Sequence, residues 1–264
     1  MAITSEECRQ IIEARDRTGR SLQVGFVCRF AATVQAAMQY LAADRLGSIY
    51  QARAVMLRRR GIPGLGRWFT DRERSGGGVM IDLGPHLVDL MLHLCGRPAV
   101  QRVSAATTSR FGQPPSGYKF TEMWSGPPDL KGTFDVDDGT TAMLRCDDDL
   151  TITMTASWAS HLPDGTIGDG VTLFGDRGAM HFDIWGDHLV IGTLLDGEIV
   201  DVRHPISTDE GWGTAFEREH RCFEETCKGS KAAPSGEEGL AVQSILEAMY
   251  RSADAGQEVA VNEP

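Results

Sequence analysis

Residues 139–158 read GTTAMLRCDDDLTITMTASW. Two stretches of period two, 139–146 and 150–158, flank a turn at Cys146 to Asp149, the pattern of adjacent antiparallel strands. Working outward, the same period holds from residue 99 onward. Strands are predicted at 99–108, 170–175, 178–184, 187–194 and 198–203, with turn signals at Gly175-Asp-Arg-Gly178 and Asp196-Gly197. A last short strand fits 258–261.

Upstream, the spacing changes to that of helices. Thr4 followed by Glu7 forms a capping box, and the helix it opens runs to Thr18, with Gly19 at its end. Ser21 to Val27, SLQVGFV, reads as a short buried strand. A helix is predicted over 31–43, a strand from Ser48 to Leu57, and a continuous helix over 79–95 that stops at Gly96. Two more helices fit 213–228 and 236–254. Residues 58–75 and 110–138 read as loops rich in glycine and proline. Helices, then a largely antiparallel sheet, then helices is the order of an α+β fold.

The 264 residues allow one large core or two small ones. A net charge of −11 disfavours nucleic acid and anionic membranes as partners. The six cysteines include no Cys-x-x-Cys pair and read as reduced thiols. No stretch is long and apolar enough to span a membrane, and MAITSEECRQ carries no signal-peptide core. A cytoplasmic protein is the expectation.

The chemistry concentrates in SGGGVMIDLGPHLVDLMLHL, residues 75–94. Asp82, His86, Asp89 and His93 fall at i, i+4, i+7 and i+11, one face of a helix. Asp82 and His86 lie one turn apart, near enough to hydrogen-bond. A carboxylate that orients an imidazole makes a general acid/base. The bland alternative is a capping aspartate and a core histidine. Asp89 and His93 extend the face, but ligands spread over three turns do not converge on one metal ion; no metal site is assigned. Arg58, Arg59 and Arg60 suit an anionic group or a solvated strand end. Trp68 suits a sugar ring or a loop anchor, and Trp158 and His161, in SWASHLP, suit substrate contacts at a strand end. No Gly-x-Gly-x-x-Gly occurs; Gly64-Leu-Gly66 comes closest and opens no helix.

GGGVMIDLGPHLVDL resembles the G-G-G-x-x-x-D-x-G-x-H-x-x-D segment of the glucose–fructose oxidoreductase/inositol dehydrogenase/rhizopine catabolism (Gfo/Idh/MocA) family. The order of LQVGFVCRF, LGSIYQARA, the paired strands ending in Ser-Trp, LFGDRGAMHFD and the C-terminal helices agrees with it along nearly the whole chain. The resemblance implies a large, mostly antiparallel open sheet with helices on one face over 29–264, preceded by the remnant of a Rossmann domain over 1–28. It implies NAD- or NADP-dependent oxidation of a sugar, sugar acid or cyclitol and oligomers built through the sheet. Asp82 and His86 fall on the family's catalytic pair, Asp89 on a structural position. Arg60, Trp68, Trp158 and His161 become the candidate substrate contacts.

The family's Gly-x-Gly-x-x-Gly, its ribose-binding acid and its Glu-Lys-Pro motif lie upstream of where this sequence starts. No cofactor-binding residue is assigned, and the chain alone is expected neither to bind NAD(P) tightly nor to turn over. The alternative is a non-catalytic assembly or sugar-binding module, paired with a separate Rossmann subunit.

Overall fold

The computed structural model describes residues 1–112, 119, 125–163, 170–207, 211–230 and 234–261. Nine strands form one sheet: β1 Ile49–Leu57, β2 Val100–Thr108, β3 Gly139–Cys146, β4 Thr151–Ser157, β5 Gly170–Gly175, β6 Gly178–Asp183, β7 His188–Leu195, β8 Glu198–Pro205 and β9 Val259–Ala260. Their order is β8-β7-β6-β5-β1-β4-β3-β2-β9. All neighbours run antiparallel except β1 and β4, which pair in parallel at the centre. The α+β sheet expected from the sequence is therefore present. Its opening hairpin turns through Asp148 and Asp149, both left-handed at φ 52° and 58°, a conformation aspartate tolerates.

The helices are α1 Ser5–Thr18, α2 Ala32–Ala42, α3 Arg72–Ser75, α4 Val79–Asp82, α5 Gly84–Leu94, α6 Trp212–Cys227 and α7 Gly236–Ala255. Alternation decides which face of the sheet they cover. Ala52, Ala54, Met56, Leu144, Ile152, Met154, Leu173, Met180 and Phe182 are buried and form one core with Leu87, Leu90 and Met91 of α5 and Leu246 and Met249 of α7. Each such large side chain contributes about 1.5–3 kcal/mol by leaving water. The residues between them, Thr141, Thr151, Thr153, Thr155 and Thr172, face the opposite, more exposed side. Among the described residues no helix is long and apolar enough to cross a membrane. No disulfide joins the six cysteines.

Two expectations need correction. Residues 21–26 belong to no strand. A strand exists only where a neighbour completes its ladder; here the Val24 N–H donates to the Pro234 carbonyl at 3.0 Å and the Phe26 N–H to the Val24 carbonyl at 3.0 Å. The helix expected over 79–95 is split at Leu83 into α4 and α5. Pro85 has no N–H to give the preceding turn, so the ladder is interrupted there.

Candidate active site

The glycines of SGGG are explained by what crowds them. Gly76 caps α3 at φ +83°, in the left-handed region. Gly78 packs so tightly that a Cβ there would sit 1.8 Å from the main-chain oxygen of Asp137. This close approach starts α4 beside the entrance to β3 and carries Asp82 to the C-terminal ends of β1 and β4.

There the carboxylate Oδ2 of Asp82 accepts a hydrogen bond from Trp158 Nε1 at 2.8 Å. Burial pushes the Asp82 carboxyl above its usual range, opposed by the Trp158 bond and by the charge of Arg58. His86 lies one turn on, at the start of α5. Its Nδ1 is buried and meets no hydrogen-bond partner among the described residues. Burial pushes its pKa down, so the ring is neutral at neutral pH. The hydrogen bond between Asp82 and His86 suggested by their spacing is not formed; the indole of Trp158 takes the carboxylate instead.

The other two residues of that face go elsewhere. Asp89 is buried against Arg29, and His93 lines a separate hollow with Leu41, Cys95 and Leu150. A neutral imidazole with an unpartnered nitrogen, one turn from a fixed carboxylate, is an arrangement that can accept and return a proton.

Of the outer candidates, Arg60 and His161 are brought together. Arg60 Nη2 lies 2.9 Å from His161 Nδ1, and Arg60 Nη1 donates to the Ser160 carbonyl at 2.6 Å. The Phe111 ring packs at 5.5 Å from that of His161. Trp158 is only 1% exposed, so it reaches the site through its bond to Asp82 and not through its ring face. Trp68 is 46% exposed and edge-on to Phe69. With Arg67, Arg74, Ser125 and Asp129 it lines a hollow of about 720 Å³ that does not include Asp82 or His86. A second hollow, lined by Tyr40, Arg45, Asp176 and Leu194, lies at the other end of β1, where Ile49 pairs with Gly175.

The model of the GFO/IDH/MocA C-terminal domain matches residues 34–181, more than half of the chain. This chain belongs to the Gfo/Idh/MocA family. Similar curated proteins include the D-glucoside 3-dehydrogenase of Escherichia coli K12, 29% identical over 98% of this chain and 70% of that protein. The putative UDP-kanosamine synthase oxidoreductase subunit of Amycolatopsis mediterranei is 33% identical over 57% of this chain and 41% of its own length. Among solved structures, levoglucosan dehydrogenase in complex with NADH and levoglucosan shares the fold, with TM-score 0.81 and 20% identity over 99% of this chain and 72% of that one. An NAD-binding oxidoreductase from Klebsiella pneumoniae does so with TM-score 0.79 and 17% identity over 100% and 72%.

Within this Gfo/Idh/MocA domain, two site residues escaped the sequence reading: Asp137 and Asp138. They stand at the end of a loop read as irregular, yet both are buried, at 6% and 2% exposure. The only sequence signal was a pair of acids placed directly before a strand, which by itself suggests a solvated turn. Tyr250 of α7 also reaches the site, its hydroxyl donating to Asp137 Oδ1 at 2.8 Å.

Proposed function

We propose that this chain forms the substrate side of an NAD(P)-dependent dehydrogenase acting on a hydroxyl of a sugar, sugar acid or cyclitol. The observation that carries this reading is His86, half-buried with an unmet Nδ1, one turn from a carboxylate fixed by Trp158. His86 takes the hydroxyl proton as the carbon is oxidised. Asp82, one turn earlier, favours the imidazolium that forms. NAD(P), when bound, supplies the acceptor for the hydrogen that leaves the same carbon with its electron pair. The names of the relatives, a glucoside dehydrogenase and a levoglucosan dehydrogenase with NADH, support the substrate class and the cofactor.

The substrate lies among residues 79–86, the loop 58–70 and the strand end 158–161. Arg60 and His161 hold its hydroxyls. What supports the absence of a dinucleotide cradle is that no Gly-x-Gly-x-x-Gly occurs in the chain and that the one parallel pair among the described strands, β1 and β4, is linked through β2 and β3 and not by a single crossover helix. In this reading a nucleotide-binding half, joined to the chain or paired with it, completes the enzyme, and the chain alone does not turn over. The threonine-lined open face of the sheet serves assembly into oligomers.

A second reading is a non-catalytic module for assembly or sugar binding that serves a separate subunit; the word "subunit" in the Amycolatopsis relative's name favours it. A fluorescence titration of this chain with NADH and NADPH, then of the chain joined to a nucleotide-binding half, separates the cases. No binding alone, with binding and turnover when joined, supports the first reading. In the joined enzyme His86→Ala should lower kcat by ~10² or more. Turnover close to that of the unaltered enzyme removes His86 from the role. Saturable binding to the chain alone overturns the account of the missing cradle.

A further inference from the structure

Asp82 needs to be held in place, because a helix of one turn, α4, carries it. Isolated single turns are unstable, and the first N–H groups of a helix have no partner within it. Asp137 supplies those partners. Its Oδ1 accepts from the Gly78 N–H at 3.0 Å, its Oδ2 from the Met80 N–H at 2.8 Å, and its main-chain oxygen from the Val79 N–H at 2.9 Å. The Tyr250 hydroxyl donates to the same Oδ1 at 2.8 Å, anchoring the carboxylate to α7.

The link from this clamp to Asp82 is one helical turn. The Asp82 N–H donates to the Gly78 carbonyl at 3.1 Å, and the Leu83 N–H to the Val79 carbonyl at 2.9 Å. The other side of Asp82 is governed from the next residue. The Asp138 main-chain oxygen accepts from the Trp158 N–H at 2.9 Å, and Trp158 donates its indole N–H to Asp82. The dipeptide 137–138 therefore sets both ends of the Asp82–Trp158 bond, one through α4 and one through the end of β4.

We propose that Asp137 is a positioning residue: its carboxylate fixes the first turn of α4 and thereby the place of Asp82 against Trp158 and, one turn on, of His86. The consequence for catalysis rests on the roles proposed above for Asp82 and His86; the placement of Asp82 does not.

The test reads the placement in this chain without any turnover. The chain has five tryptophans, so its indole N–H groups give a small set of nuclear magnetic resonance signals, of which Trp158→Phe identifies one. Asp82→Asn shows how that signal moves when its acceptor changes. Asp137→Asn is expected to move the Trp158 indole signal in the direction of weaker hydrogen bonding and to speed its exchange with solvent at least ~10-fold, since in either orientation the amide sets a donor against the N–H of Gly78 or of Met80. The other indole signals stay. Tyr250→Phe leaves the three backbone bonds to Asp137 and removes a hydroxyl that donates to Asp137 Oδ1 and accepts from the Gly78 N–H at 3.3 Å, so it folds more readily and should move the same signal the same way by less. An unmoved Trp158 signal in both variants, even with lowered thermal stability, overturns the proposal, because a purely structural aspartate would lower stability without loosening that bond. In the joined enzyme Asp137→Asn should then lower kcat more than it raises KM. A moved indole signal with unchanged kcat would instead overturn the catalytic reading of Asp82 and leave the positioning intact.

Discussion

Arg29 and Asp89 form a buried two-point pair, with Arg29 Nε 2.7 Å from Asp89 Oδ2 and Nη2 2.5 Å from Oδ1. Their side chains are 6% and 1% exposed. Glu238 adds a bond to Arg29 Nη1 at 3.0 Å and one to Arg97 Nε at 3.0 Å. Four charges thus tie the turn Val27–Phe30 to α5 and to the start of α7. Removing one member of such a group strands the others without water.

Asp89→Ala is accordingly expected to destabilise the chain by about 3–5 kcal/mol. Urea unfolding followed by tryptophan fluorescence measures it. A loss below ~1 kcal/mol would show that Arg29 finds water or Glu238 as a full substitute.

His93 should make stability depend on pH. Burial, then the charges of Arg29 and Arg97, lower its pKa from 6.5 to about 4. The unfolded chain takes up a proton below 6.5 that the folded chain refuses until about 4. Stability is therefore full above that window and falls through it as the pH drops, by at most ~1.4 kcal/mol per pH unit. His93→Gln should flatten that slope in unfolding curves taken between the two values. An unchanged slope would assign the acid sensitivity to other groups.

Trp158→Phe keeps the buried ring and removes the donor to Asp82. The bond now holds the Asp82 carboxyl down against burial, so its loss should raise the pKa further. In the joined enzyme the acid limb of the pH–rate profile should move to higher pH. A limb that stays in place would separate Asp82 ionisation from turnover. Stability should fall by about 1–3 kcal/mol as a half-buried, charged acceptor loses its partner.

Two glycines of the chain should respond differently to alanine. At Gly78 the new Cβ would meet the Asp137 oxygen at 1.8 Å, so backbone must move, and the cost is expected at about 3 kcal/mol or more. At Gly96, φ is +78° with no atom within 4 Å, and only the left-handed backbone strain of about 1–2 kcal/mol remains. Equal losses in chemical denaturation would place the role of Gly78 in its flexibility and not in its close approach.

The strands of 139–146 and 150–158 were legible because a half-buried sheet imposes a period of two, and both appear within a residue of their expected ends. The capping box at Thr4 was legible because it is local: its partner Glu7 lies three residues away. Asp82 and His86 stood out for the same reason, one turn apart on a helical pattern. What each of them bonds was hidden. Trp158 lies 76 residues from Asp82, and no local rule connects them.

The amino-acid pattern alone therefore determined the α+β class, the strands of the sheet and the helical character of the segment that carries the candidate acid/base, but not its break at Leu83. These follow from periodicity and from contacts within one turn. Only the tertiary structure decided that SLQVGFV is not a strand, that Asp82 is held by Trp158 and not by His86, and that Asp137 seats the helix. Each depends on which distant group arrives to fill a hydrogen bond, and that is settled by packing across the sheet, where sequence separation carries no information.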